Sequence, residues 1–121
     1  MSVWAWLGVA LLGGVGANAR FLVHTLVAPF AGDEFPFGTL LVNASGSLVL
    51  GLLVGFSLSG VALVLAGTAT LGSYTTFSTW LLETEWLAAR GQRVAVVLNL
   101  LVSLALGLGA VALGRAIASQ M

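Results

Sequence analysis

The chain has 121 residues, of which 60% are hydrophobic and 7% are charged, whereas about a quarter of the residues in a soluble domain carry charge. Four basic residues balance four acidic ones, so there is no basic surface that could hold a nucleic acid. The absence of cysteine and the presence of a single histidine remove disulfides, cysteine nucleophiles and the common zinc and heme sites. Composition therefore predicts a protein of the lipid bilayer.

Long apolar runs divide the chain into four predicted spans. Each is long enough to cross the roughly 30 Å of hydrocarbon in a bilayer, and we place them at 3–27, 38–59, 61–86 and 93–118. Short polar connections join them, so consecutive helices are expected to be antiparallel. The whole chain, residues 1–121, is thus predicted to be one all-α transmembrane domain of four helices.

The first apolar run could also be a secretory signal peptide, because "ANA" at 17–19 has the small-residue pattern of a cleavage site. No basic residue precedes Arg20, however, and several equally apolar runs follow. We therefore interpret the run as a mature span. It is followed by "PFAGDEFPF", which contains both prolines together with Asp33 and Glu34 and indicates an interfacial loop.

Arg20 lies near the end of the first predicted span. Its long side chain could simply extend to the membrane interface, as arginines in this position commonly do. Alternatively, the guanidinium could cap the end of a helix or draw anions towards an entrance. The sequence leaves these interpretations open.

Small and polar residues recur at every fourth position of the second span: Thr39, Asn43, Ser47, Gly51 and Gly55. On a helix this spacing places them along one slowly slanting stripe. An amide in hydrocarbon without partners costs several kcal/mol, so Asn43 either bonds a neighbouring helix or faces a ligand. The fourth span repeats the spacing with Asn99, Ser103 and Gly107, where helix packing is the simpler interpretation.

The third span contains the unusual segment "GSYTTFSTW", residues 72–80, in which hydroxyl-bearing side chains predominate. Glycine, serine and threonine weaken a helix, so we expect the third helix to be broken here. Irregular backbone at membrane depth persists only when it is buried in protein or lines a water-filled path. Because discontinuous helices form the ion sites of many transporters, this segment is a candidate ion site.

The acidic residues do not indicate an enzyme. Glu83 and Glu85 are two positions apart and would point about 200° away from each other on a helix, so they cannot form a catalytic pair. We interpret them as interfacial residues near the end of the third predicted span. His24 has no neighbour at metal-ligand spacing. A proton-coupled exporter of small molecules would need an acid within the membrane, and a structural membrane subunit would need none. These are the alternatives to an ion channel.

Three segments, in this order and spacing, resemble the CrcB/Fluc family of fluoride channels: "GGVGANAR" at 13–20, "GTLLVNASGSLVLG" at 38–51 and "GSYTTFSTW" at 72–80. The resemblance covers nearly the whole chain. It implies a fluoride-selective passive channel that exports cytoplasmic fluoride across the cell membrane. It also implies an antiparallel, dual-topology dimer, either of two identical chains or with a paralogous partner.

The same resemblance assigns roles to individual residues. It implies that fluoride passes a pore lined by Asn43, Thr39, Phe77, Trp80, Ser78 and Thr79, with Arg20 nearby. A structural sodium ion at the dimer interface would be held by the main-chain carbonyls of Gly72 and Thr75. Two positions depart from the family pattern, since Trp80 replaces the usual phenylalanine and Asn99 replaces the tyrosine of many members. Ring edges and neutral donors suit an anion that must be bound and released.

Overall fold

The computed structural model describes residues 1–32 and 34–121, and these contain helices but no strand. In chain order the elements are α1 (Val3–Ala31), α2 (Phe37–Gly55), α3 (Gly60–Leu63), a π-helical stretch (Val64–Leu71), α4 (Gly72–Tyr74), α5 (Ser78–Ala89) and α6 (Arg93–Ser119). The all-α prediction is confirmed for this part of the chain. Asp33, which the sequence placed in the interfacial loop, lies outside the described residues.

Within residues 1–32 and 34–121, four segments are long and apolar enough to span a membrane. They are α1, α2, the segment Gly60–Ala89, which we call the third segment, and α6. The third segment comprises α3, the π-helical stretch, α4 and α5. The prediction of a multi-pass membrane protein is therefore confirmed.

The ends of these segments differ from the predicted ones. The first helix continues through Pro29 to Ala31, because transmembrane helices tolerate proline when other groups satisfy the freed backbone. Arg20 consequently lies in the interior of α1 rather than near its end. The second helix stops at Gly55 instead of residue 59, since Ser57 adopts a positive φ of 62° that no helix can continue.

Helices α2 and α6 pack at very short range through glycine. A Cβ atom on Gly51 would collide with the main chain of Val111, and one on Gly114 would collide with the carbonyl of Leu48. Only glycine permits two helix backbones to approach this closely. This contact fixes α2, which carries Asn43, against α6, which carries Asn99.

Helical geometry in the third segment stops after Tyr74 and resumes at Ser78. Thr75 has an extended, non-helical backbone, with φ −76° and ψ 162°, and we refer to residues 75–77 as the interruption. The eight residues before α4 already follow the wider π-helical path. Because a helix end exposes amide and carbonyl groups, side chains from elsewhere must satisfy the groups freed here.

Candidate functional site

Asn43 satisfies the backbone of the interruption from the facing helix α2. Its side-chain amide donates to the Thr76 carbonyl at 2.8 Å, and its side-chain oxygen accepts from the Thr76 N–H, also at 2.8 Å. The carboxamide therefore bonds both the carbonyl and the N–H of Thr76, as the main chain of a neighbouring β-strand would. One of the two amide hydrogens is used in this pair, so the other is available to a ligand.

Thr76 also starts the helix that follows the interruption. Its hydroxyl accepts from the Thr79 N–H at 3.1 Å, which is the hydrogen bond of a helix N-cap. The side chain of Thr76 thus provides a hydrogen-bond acceptor for the first turn of α5, while Asn43 provides the partners for the main chain of Thr76. The two contacts together give the interruption one defined shape.

The interruption forms one wall of a groove between α2, the third segment and α6. The groove encloses about 470 Å³, and its lining includes Asn43, Thr75, Thr76, Phe77 and Trp80. Small residues of α2 and α6, among them Ser47 and Ser103, also line the groove. None of the described residues that line the groove carries an ionisable side chain.

Phe77 and Trp80 stand side by side in this groove. Their ring centroids are 5.6 Å apart and the rings are tilted by 57°. The two rings differ greatly in exposure within the chain, since Phe77 is 68% exposed and Trp80 only 9%. Phe77 therefore offers its ring to the groove, whereas most of Trp80 is packed into the protein.

The indole N–H of Trp80 is already engaged. It donates to the main-chain carbonyl of Asn99 on α6 at 3.2 Å. The indole donor is therefore directed at α6 and not at the groove. What Trp80 can present to the groove is its ring.

Four of the residues that the resemblance assigns to the pore do not belong to the groove lining: Thr39, Arg20, Ser78 and Thr79. Thr39 is buried, and its hydroxyl donates a short hydrogen bond to the carboxylate of Glu83. The Arg20 guanidinium donates to the Thr75 carbonyl at 3.5 Å, a long and weak bond. Ser78 is exposed and Thr79 half-buried, and both belong to the first turn of α5.

Two residues of this site, Thr76 and Glu83, are not indicated by the sequence patterns. Threonine is a favoured N-cap residue, so Thr76 could be identified only once the start of α5 is placed just after it. Glu83 was assigned to a span end, but α5 continues to Ala89 and leaves this side chain half-buried against Thr39. The sequence carried no signal for this pair, because the two residues are far apart in the chain.

The arrangement can bind a small anion without trapping it. The amide of Asn43 is a neutral donor, and the edge of an aromatic ring carries the positive end of its quadrupole. Neutral donors bind an anion less tightly than a buried arginine would, which permits release as well as entry. The site has no nucleophile paired with a base among the described residues that line it.

Comparison with known proteins gives one consistent result. Residues 7–115 match the family model described as CrcB-like protein, Camphor Resistance (CrcB). The chain is 50% identical over 117 residues to the fluoride-specific ion channel FluC 2 of Mycolicibacterium paratuberculosis, covering 97% of this chain and 96% of that protein.

Two further relatives have similar names. The fluoride-specific ion channel FluC 2 of Mycobacterium tuberculosis strain H37Rv is 48% identical over 118 residues, which cover 98% of this chain and 94% of the relative. The fluoride-specific ion channel FluC 1 of Rubrobacter xylanophilus is 47% identical over 102 residues, covering 84% and 82% respectively. The match spans all four membrane segments and the whole of the groove, and the chain belongs to the CrcB-like family.

Proposed function

We propose that the protein is a passive, fluoride-selective ion channel that releases fluoride from the cytoplasm. The observation that carries this proposal is the pairing of Asn43 with Thr76 beside the exposed ring of Phe77, in a groove without ionisable side chains. The relatives named as fluoride-specific channels support the choice of ion. The neutral lining of the groove supports a passive mechanism, since none of the described residues that form it is ionisable.

Fluoride would be held by replacing part of its hydration shell. The second amide hydrogen of Asn43 is a donor of suitable strength, and the ring edge of Phe77 adds weakly positive C–H groups. Chloride is larger, so in the same narrow space it would gain less from these contacts. Selectivity would thus arise from a small site with a few fixed donors.

The working unit in this proposal is an antiparallel dimer with a second copy of the chain. The interruption lies in a groove that is open to the outside of the single chain, and Phe77 is 68% exposed there. Non-helical backbone cannot face lipid, because its polar groups would lack partners. A second copy related by a two-fold axis in the membrane plane would cover the groove on both chains, and a paralogous chain is the alternative occupant.

The first prediction tests the function itself. Liposomes containing the purified protein are expected to release fluoride when an ionophore balances the charge, as followed with a fluoride electrode. Chloride release from matched liposomes is expected to stay near that of empty vesicles, and an imposed proton gradient should not drive fluoride uphill. Chloride release comparable to fluoride release would contradict the proposal, as would fluoride release no greater than from empty vesicles.

We also propose a structural sodium ion at the interruption, held by the main-chain carbonyls of Gly72 and Thr75. Carbonyl oxygens are the ligands that alkali ions prefer, and a break in a membrane helix frees them. None of the hydrogen bonds found across the interruption uses the Gly72 carbonyl, and the Thr75 carbonyl has only the weak contact with Arg20. Two oxygens form half a coordination shell, so the partner chain would supply the other half.

The second prediction concerns this ion. Replacing sodium by N-methylglucamine during purification is expected to lower the melting temperature of the dimer and to increase the monomer fraction after cross-linking. Restoring sodium should reverse both effects, because binding to the assembled state stabilises it by mass action. Identical melting and cross-linking with and without alkali cations would remove the ion from the proposed assembly.

A further inference from the structure

Two hydrogen-bonded links join α5 to α6 at the same level. The first is the bond from the Trp80 indole N–H to the Asn99 carbonyl, at 3.2 Å. In the second, the Asn99 side-chain amide donates to the Thr84 hydroxyl at 2.8 Å, and that hydroxyl donates to the Trp80 carbonyl, also at 2.8 Å. The links begin and end on the same two residues, so they form a closed circuit.

Two of the three residues of the circuit are buried, and the third, Thr84, is half-buried. Asn99 is 1% exposed and Trp80 is 9% exposed. The side-chain oxygen of Asn99 has its own partner in the Ser103 hydroxyl at 3.4 Å. A buried amide that loses its acceptor costs about 1–3 kcal/mol, so the Asn99 side chain is strongly held on Thr84.

The indole bond is the longest of the three hydrogen bonds in the circuit. At 3.2 Å it is at the long end of the range for N–H donors, so a small separation of α5 from α6 would break it. The Thr84 hydroxyl fixes that separation, because it binds the α5 main chain at Trp80 and the α6 side chain at Asn99 simultaneously. Thr84 does not line the groove and touches no proposed ion position.

We propose that Thr84 and Asn99 are positioning residues that hold the indole of Trp80 against α6, so that its ring leaves the space beside Phe77 open. The inference rests on the proposed channel function and extends it to a specific requirement of this chain. Indole is larger than a phenyl ring, and its centroid lies 5.6 Å from that of Phe77. Released from α6, the indole would turn into the groove and obstruct it.

The need for this support arises from the size and the N–H group of the indole, and not from position 80 alone. A phenylalanine in place of Trp80 has no N–H to direct at Asn99 and occupies less volume, so its ring would not need the same support. Thr84 should therefore matter in the wild-type chain and matter much less in the Trp80→Phe variant. This dependence distinguishes positioning from a general contribution to helix packing.

The test compares Thr84→Val, which keeps the shape but removes the hydroxyl, with Thr84→Ser, which keeps the hydroxyl. Fluoride efflux is measured for both and for Thr84→Val in the Trp80→Phe background. We expect Thr84→Val to lower efflux about tenfold, because the buried Asn99 amide would lose its acceptor, and Thr84→Ser to retain efflux. In the Trp80→Phe background, adding Thr84→Val should change efflux less than about twofold, a clear departure from additivity.

A second readout follows the indole itself. The ¹⁵N-labelled protein in nanodiscs gives one indole N–H resonance for each tryptophan, and the Trp80 signal is the one absent from Trp80→Phe. Thr84→Val is expected to shift this resonance and speed its exchange with water, whereas Thr84→Ser should leave both unchanged. Dimer assembly is checked by cross-linking for every variant.

An unmoved Trp80 resonance in Thr84→Val would overturn the inference even if efflux fell, since the loss would then reflect packing. Equal losses of efflux in the wild-type and Trp80→Phe backgrounds would overturn it as well. An inactive wild type would contradict the proposed function but not the anchoring, which the resonance reports without any ion flux. A shift in Thr84→Val with none in Thr84→Ser supports the inference.

Discussion

Asn43→Asp is expected to lower fluoride efflux about a hundredfold, because it breaks a part-buried hydrogen bond whose loss costs about 1–3 kcal/mol and places two acceptors opposite each other. Aspartate has no N–H to give to the Thr76 carbonyl, so its oxygen would face that carbonyl without a hydrogen. In its ionised form it would also repel the anion. The measurement is efflux from liposomes with a fluoride electrode, normalised to the amount of cross-linked dimer.

Two further variants separate the possible causes. Asn43→Leu introduces no charge but removes both bonds to Thr76, and we expect it to be as inactive as the aspartate variant. Thr25→Val is the control, since the Thr25 hydroxyl bonds the Phe21 carbonyl of its own helix at 2.9 Å and lies away from the groove. Normal efflux from an assembled Asn43→Asp dimer would show that Asn43 serves packing only.

The fold of this chain could be predicted because hydrocarbon allows few solutions. Four apolar runs in a bilayer must be helices, since each backbone group needs a partner within its own segment. The helix ends were less predictable. Pro29 did not end α1 and Ser57 ended α2 early, because local tertiary contacts decide how a chain reverses once it leaves the hydrocarbon.

Part of the site was also readable from the sequence. The spacing of polar residues in α2 singled out Asn43 as an amide that needed a partner, and the structure places it on Thr76. The identity of that partner was not readable, because it belongs to a different helix. Likewise, Glu83 looked interfacial until its contact with Thr39 placed it between two helices.

Trp80 shows most clearly which features of the site cannot be predicted from the sequence. The chemistry of indole indicates a ring edge and an N–H donor, and both could have faced the groove. The donor turns instead to the Asn99 carbonyl, a choice that depends on the distance between α5 and α6. Sequence patterns give the donors available at a site, whereas packing decides which of them are free.

Phe77→Ile is expected to reduce fluoride efflux at least about tenfold, because isoleucine has no positive ring edge to offer an anion. Phe77 is 68% exposed within the chain, so the substitution removes little packing inside the subunit. Phe30→Ile is a matched control, since Phe30 is 89% exposed near the end of α1 and far along the chain from the groove. Its efflux should equal that of the wild type.

Trp80→Phe completes the comparison and is expected to keep efflux within about twofold of the wild type, because phenylalanine retains a ring edge. The lost indole N–H binds Asn99 in this structure and not the groove. Wild type, Phe77→Ile, Trp80→Phe and Phe30→Ile are compared as cross-linked dimers in the same liposomes. An inactive wild type that Trp80→Phe restores would mean that the indole blocks the path, and the chain would then function only beside a paralogous partner. Full efflux from Phe77→Ile would refute the role of the aromatic edge, since the exposed ring at the interruption would then be dispensable.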